Sequence, residues 1–277
     1  MKKLAPLCML LAALCWSVCG VLVKACRWPG IYITILRGSI IVAVYGFISF
    51  YSGRRFKIDK YKILIALGYF GQSSLLMLAF KYTTAGSATA LQNTSLLGIM
   101  ALNYLILKQK PQKKELITCA FLLFGVFIIL GGTVKSGGRI IGNLLALASA
   151  LFYACLFFFS GISEANTIDA LVLGNLPFLF LLPILVKGHA ILSYGMHDLW
   201  IALACAWISG VISWLCFSAG IKYISPLQAN FITILEPVMS PVWTFIFLGE
   251  VMPMASMIGF GVVIITLIVY NFQQSEL

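Results

Sequence analysis

The stretch ITILEPVMSPVW, residues 232–243, sets one carboxylate, Glu236, in an apolar run and follows it with Pro237 and Pro241. An ionised carboxylate at bilayer depth costs about 2.5–3.5 kcal/mol on insertion scales, so it must be protonated, paired or turned toward a cavity. Each proline also removes one backbone donor, releasing the carbonyls of Thr233 and Pro237. At about 100° per residue, Asn230, Thr233, Glu236, Ser240 and Thr244 share one polar stripe of a helix. The chemistry open to such a stripe is solute binding and proton exchange; the plainer alternative is that Glu236 caps loose amides or pairs with a cation to hold a kinked helix.

The same pattern recurs earlier in the chain. FKYTTAGSATALQ (residues 80–92) aligns with IKYISPLQANFIT (residues 221–233) at an offset of 141, with Lys-Tyr at the matching place. That offset carries the stripe onto Thr89, Gln92, Ser95, Ile99 and Asn103, all but Ile99 polar. Two such stripes cannot both face lipid, so they should look inward, toward each other or a wet cavity. Aromatic side chains are the other ligand-holding candidates. Trp16 and Tyr153 occupy matching places in the two halves, and Trp207 and Trp214 lie one heptad apart, able to offer ring faces to a flat or cationic ligand or simply to pack. Ser209 and Ser213, four apart, read as a site of close helix contact. Arg37 in ITILRGSII reads as a structural charge shallow enough to snorkel, with pairing to Glu236 as a further arrangement that a charge swap would test.

The elements that must position these residues are membrane spans. The 277 residues are 61% apolar and 10% charged, with a mean hydropathy of +1.03. Apolar runs predict ten helices over residues 4–23, 31–51, 62–82, 86–107, 115–132, 141–160, 168–187, 198–219, 226–248 and 253–272, numbered below as spans 1 to 10. The first is too long for a secretory signal and is read as retained. Residues 1–135 and 136–277 then form two five-helix repeats, and an odd number of crossings gives them opposite orientation in the membrane. The fold class expected is an all-α integral membrane protein of ten transmembrane helices in two inverted repeats.

The formal charge of +11 does not point to nucleic acid, because 17 of the 19 Lys and Arg precede residue 140 and most cluster in the loops after spans 2 and 4. That bias is the positive-inside signal, which predicts both termini in the cytoplasm. Eight cysteines without a C-x-x-C pair, and His189 and His197 in a single loop, give no metal site, and no cofactor is expected.

Together these features resemble the drug/metabolite transporter superfamily, EamA-type. The resemblance rests on LCWSVCGVLVKA in span 1, Arg37 in span 2, AFKYTTAGSATAL between spans 3 and 4, and ANFITILEPVMSPVWTFIFLGE in span 9. It implies a secondary carrier, often an exporter of amino acids or related metabolites, with a central cavity lined by spans 1, 3, 4, 6, 8 and 9. The first half departs from the pattern, with Ser95-Leu96 and Lys108-Gln109 where the second has Glu236-Pro237 and Gly249-Glu250.

The leading expectation is therefore a secondary exporter of a small polar metabolite in the bacterial cytoplasmic membrane, working by rocking of the two halves, with protons as the candidate coupling ion. Export of cationic or quaternary amines is the alternative, with Glu236 as counter-ion. A non-transporting membrane sensor or scaffold is the third reading. The absence of G-x-x-x-x-G-K-[ST], H-E-x-x-H and G-x-S-x-G leaves no sequence basis for ATP use or for an enzyme.

Overall fold

The computed structural model describes residues 4–51, 58–135, 139–162, 167–187, 194–220, 223 and 232–275. Within lipid a backbone must satisfy its own hydrogen bonds, and a chain of successive apolar runs does so as helices. Span 1 is α1 (Ala5–Ser17) and α2 (Cys19–Ala25); spans 2 and 3 are α3 (Gly30–Tyr51) and α4 (Lys60–Tyr82); span 4 is α5 (Ala85–Asn93) and α6 (Ser95–Leu107). Spans 5, 6 and 7 are α7 (Lys113–Lys135), α8 (Ile140–Ile162) and α9 (Thr167–Lys187). Span 8 is α10 (Met196–Cys205), a π-helical segment (Ala206–Ile212) and α11 (Ser213–Gly220); spans 9 and 10 end in α12 (Leu235–Leu248) and α13 (Met254–Ser275). Among the described residues, eight of these stretches are long and apolar enough to cross a membrane, and the ninth and tenth contribute shorter apolar helices.

The packing is organised by the repeat. Span 3 packs on span 6 as span 1 packs on span 8; span 4 rests on span 6 as span 9 rests on span 1; spans 2 and 7, 5 and 10, and 4 and 9 pair across the pseudo-twofold. Exchanging the halves leaves this pattern unchanged, as an inverted repeat requires. Small residues allow the close approaches: a Cβ at Gly68 of α4 would stand 2.8 Å from Leu156 N and 2.9 Å from Phe152 O of α8. The repeat even shares its helix ends. Lys108 and Gly249, matched at the offset of 141, both close their helices in the left-handed region, with φ of 57° and 63°. The same wrap-back bond follows each, Gln109 N to Asn103 O at 3.3 Å and Glu250 N to Thr244 O at 3.2 Å.

Three spans are interrupted where the sequence predicts single helices. The breaks fall at Val18, Thr94 and Ile234, the last two within one residue of matching places in the halves. Beside the first two, a hydroxyl takes a helix carbonyl: Ser17 Oγ donates to Leu14 O at 2.7 Å and Thr94 Oγ1 to Leu91 O at 2.6 Å. Asn93 Nδ2 likewise donates to Thr89 O at 2.9 Å. After the third, Pro237 has no N–H with which to continue the ladder, and it sits in the first turn of α12, where that loss is tolerated.

Candidate functional site

The three breaks converge on a small cavity. Its lining includes Trp16 and Cys19 from either side of the Val18 break, Gln92 just before the Thr94 break and Glu236 just after Ile234, with Arg37, Gln72, Leu76, Met77, Tyr153 and Trp214 completing the wall. The volume is about 30 Å³, enough for roughly two waters and for no metabolite, so the side chains themselves nearly fill it.

Of the candidate residues, Glu236, Gln92, Trp16, Tyr153 and Trp214 meet here, and Arg37 joins them. The expectation that Arg37 snorkels is overturned. It lies in the eighth position of α3, only 6% exposed, because span 2 is enclosed by spans 3, 7 and 8. Its Nη1 donates to Ser73 Oγ at 2.6 Å and its Nη2 to Ser209 O at 2.8 Å, while Nε has no partner among the described residues. The π-helical turn of span 8 makes this possible, since its widened ladder presents carbonyls sideways. Tyr45 OH takes a second one, Val211 O, at 2.6 Å. The same widening turns Trp207 away, 47% exposed, from Trp214 at 3%, so the heptad pairing of these two tryptophans does not form. Trp214 instead meets Trp16, ring centroids 5.1 Å apart at 62°, and its Nε1 has no acceptor among the described residues.

Glu236 is 9% exposed, and among the described residues no hydrogen bond or ion pair reaches its carboxylate. Arg37 lines the same cavity without pairing with it, since two of its guanidinium nitrogens are held by Ser73 and Ser209. The other described residues of the two stripes lie away from the cavity. Thr89 is buried with its hydroxyl on Ala85 O at 2.9 Å. Ser240 is fully buried against span 1, its Oγ within 3.1 Å of where a Gly20 side chain would begin. Ser95 and Thr233 are buried outside the lining, and Asn230 lies outside the described residues. Ser209 and Ser213 are fully buried, their hydroxyls on carbonyls of their own helix, Cys205 O at 2.8 Å and Ser209 O at 2.7 Å.

Sequence reasoning passed over Cys19, Gln72, Leu76 and Met77. Gln72 alone carried a signal, an amide in the middle of an apolar span, whereas nothing in a cysteine, leucine or methionine marks a cavity wall. The sequence marked Glu250 only as the end of the span 9 pattern, without a role; it accepts from Lys24 Nζ at 2.6 Å and from Ala85 N at 2.8 Å, fastening the end of span 9 to spans 1 and 4.

A family model described as the EamA-like transporter family matches residues 3–131 and 140–272. The chain belongs to the EamA-like transporter family. An EamA-like assignment accords with the two stretches matched, one in each half of the repeat. An uncharacterized transporter of Clostridium kluyveri is 24% identical over 214 residues, which span 73% of this chain and 68% of that protein. A crystal structure of a protein 16% identical superposes with a TM-score of 0.63 over 99% of this chain and 98% of its own, a likeness of fold.

Proposed function

We propose that this transporter is a secondary active exporter of a small zwitterionic metabolite, an amino acid or derivative, moved by alternating access and coupled to protons through Glu236. The observation that carries the reading is a cavity with one acid and one base that do not pair with each other. An unpaired carboxylate and a guanidinium with a spare donor are complementary to an ammonium and a carboxylate on one small molecule. Arg37 Nε and Trp214 Nε1, both buried without acceptors among the described residues, supply donors for the solute's carboxylate. Glu236 then accepts the ammonium or, when the site is empty, a proton, and that competition couples the two fluxes. A purely cationic amine would meet the Arg37 charge inside the same cavity, which weighs against that substrate class. The loop at residues 108–112 and the start of α7 carry Lys108, Lys110, Lys113 and Lys114, which supports a cytoplasmic-membrane orientation with this end inside.

The test is uptake by purified protein in proteoliposomes of labelled neutral amino acids and of quaternary amines, with and without a pH gradient. Amino-acid uptake accelerated by the gradient is expected. Uptake of amines alone would replace the zwitterion reading with the cationic one, and no flux of either class would favour a non-transporting membrane protein.

A further inference from the structure

A second, larger cavity of about 270 Å³ opens at the end of the bundle opposite the lysine-rich loop 108–112. Three cations line it, Lys24 of α2, Lys81 of α4 and Arg139 before α8, together with Thr84, Ser87 and Thr133; among the described residues no acidic side chain does. We propose that this cavity is an anion site that holds the carboxylate of the transported solute between the membrane surface and the central cavity. Its physiological ligand rests on the zwitterion reading above; its preference for anions stands on the wall itself.

One carboxylate already uses this wall's edge. Glu250 accepts from Lys24 Nζ at 2.6 Å and from the first backbone amide of α5, Ala85 N, at 2.8 Å. That arrangement shows a carboxylate held by an ammonium and a helix N-terminus together. It balances Lys24 alone. Lys81 Nζ donates to the Cys26 carbonyl, and Arg139 has no acidic partner among the described residues, so two positive charges face the cavity uncompensated.

Lys24 lies five residues beyond Cys19 on α2, Lys81 four beyond Met77 on α4, and Ser87 five before Gln92 on α5. At about 1.5 Å per residue, the two cavities are stacked roughly 6–8 Å apart along the same three helices. The helices pack tightly at Gly20, between Cys19 and Lys24 on α2, where a Cβ would stand 2.9 Å from Ala85 Cβ and 3.2 Å from Phe80 Cε1. An anion held in the upper cavity by its positive wall lies directly over the site that Arg37 serves, on the outward path of an exported solute.

The test uses the full chain in phosphatidylcholine nanodiscs, with ¹³C-acetate as probe and its line broadening as readout. Saturable binding displaced by inorganic phosphate is expected, about fivefold weaker in each of Lys81→Gln and Arg139→Gln and unchanged in Lys110→Gln, a loop cation at the other end. Wild-type affinity in both cavity variants, with matching elution and melting profiles, would overturn the proposal. Loss of acetate binding when a third of the lipid is replaced by phosphatidylglycerol would overturn it in favour of a lipid headgroup. In proteoliposomes, the cavity variants should raise the KM for amino-acid uptake severalfold with kcat unchanged. An unchanged KM sinks the solute-holding role, whereas acetate binding without any amino-acid flux sinks the transport reading and leaves the anion site standing.

Discussion

Glu236 and Arg37 divide the chemistry of the central cavity between them, and they fail differently when changed. Glu236 has no partner among the described residues, so Glu236→Gln removes charge without breaking a bond that holds the fold. Transport should fall at least roughly tenfold, the scale of one charge-assisted contact, and lose its response to a pH gradient, while thermal unfolding stays where it was. Full, gradient-dependent transport in that variant would remove Glu236 from the mechanism. Arg37→Ala strips donors from Ser73 Oγ and Ser209 O in a buried setting and should lower stability by about 1–3 kcal/mol. Arg37→Lys should not restore it, because a single ammonium cannot span both acceptors as the fork does; a melting curve equal to the parent's would contradict this. At this scale the sequence made Glu236, Gln92, Trp16, Tyr153 and Trp214 legible through their placing in an apolar repeat. It misjudged Arg37, since depth along a helix does not say which neighbours enclose it. Half of the polar stripe faces other helices for a related reason: a stripe as broad as this one meets more than one partner, and Ser240 met Gly20.

The helices themselves carry marks of the repeat that only coordinates reveal. Lys108 adopts the left-handed cap that Gly249 adopts in the other half, although a side chain there costs about 1–2 kcal/mol. Lys108→Gly should therefore stabilise the protein by roughly 1 kcal/mol, and Gly249→Ala should destabilise it by a similar amount, measured by thermal or denaturant unfolding in detergent. Gly68→Ala should cost about 1–3 kcal/mol, because the atoms its Cβ would meet are the α8 backbone and cannot swing aside. The repeat was readable from Lys-Tyr and its fixed offset, and the ten spans from hydropathy. The interruptions at Val18 and Thr94 were not, since no proline marks them. A serine or threonine bonding back to a carbonyl three residues earlier is too common in helices to announce a break. The π-helical turn in span 8 leaves no sequence trace either, although Arg37 and Tyr45 supply donors for two of its carbonyls.

Across the whole molecule, the end that holds the second cavity is fastened by bonds between the halves. Lys24 meets Glu250, Thr83 Oγ1 donates to Asn143 Oδ1 at 2.5 Å, and Arg27 meets Asp198 at 2.8 Å while its backbone amide bonds the same carboxylate at 2.6 Å. These contacts must part if that end is to open, so the double swap Lys24→Glu with Glu250→Lys should recover much of the transport that either change alone loses. The hydrogen bond to Asp198 pushes the Arg27 guanidinium further up from its already high range. A raised base stays charged below its pKa, so alkaline conditions should leave this fastening intact where Arg27→Gln releases it, as read by accessibility of a cysteine placed at Ser87.

The interlocking of the two repeats also constrains how the chain is made. Span 3 finds its main partner in span 6, span 2 in span 7 and span 5 in span 10, so almost every interface joins an early segment to a late one. At synthesis rates of about 5–20 residues per second, the first five helices spend roughly 7–30 s in the bilayer before their counterparts emerge. During that interval the Arg37 side chain has no Ser209 carbonyl to bond, and the glycine faces of α4 are open to lipid. Assembly must finish only with the last helix, and the nascent first half is the natural client of whatever shelters unfinished membrane proteins at the insertion site. Expressed alone, residues 1–135 should be degraded, and co-expression with residues 136–277 should rescue them.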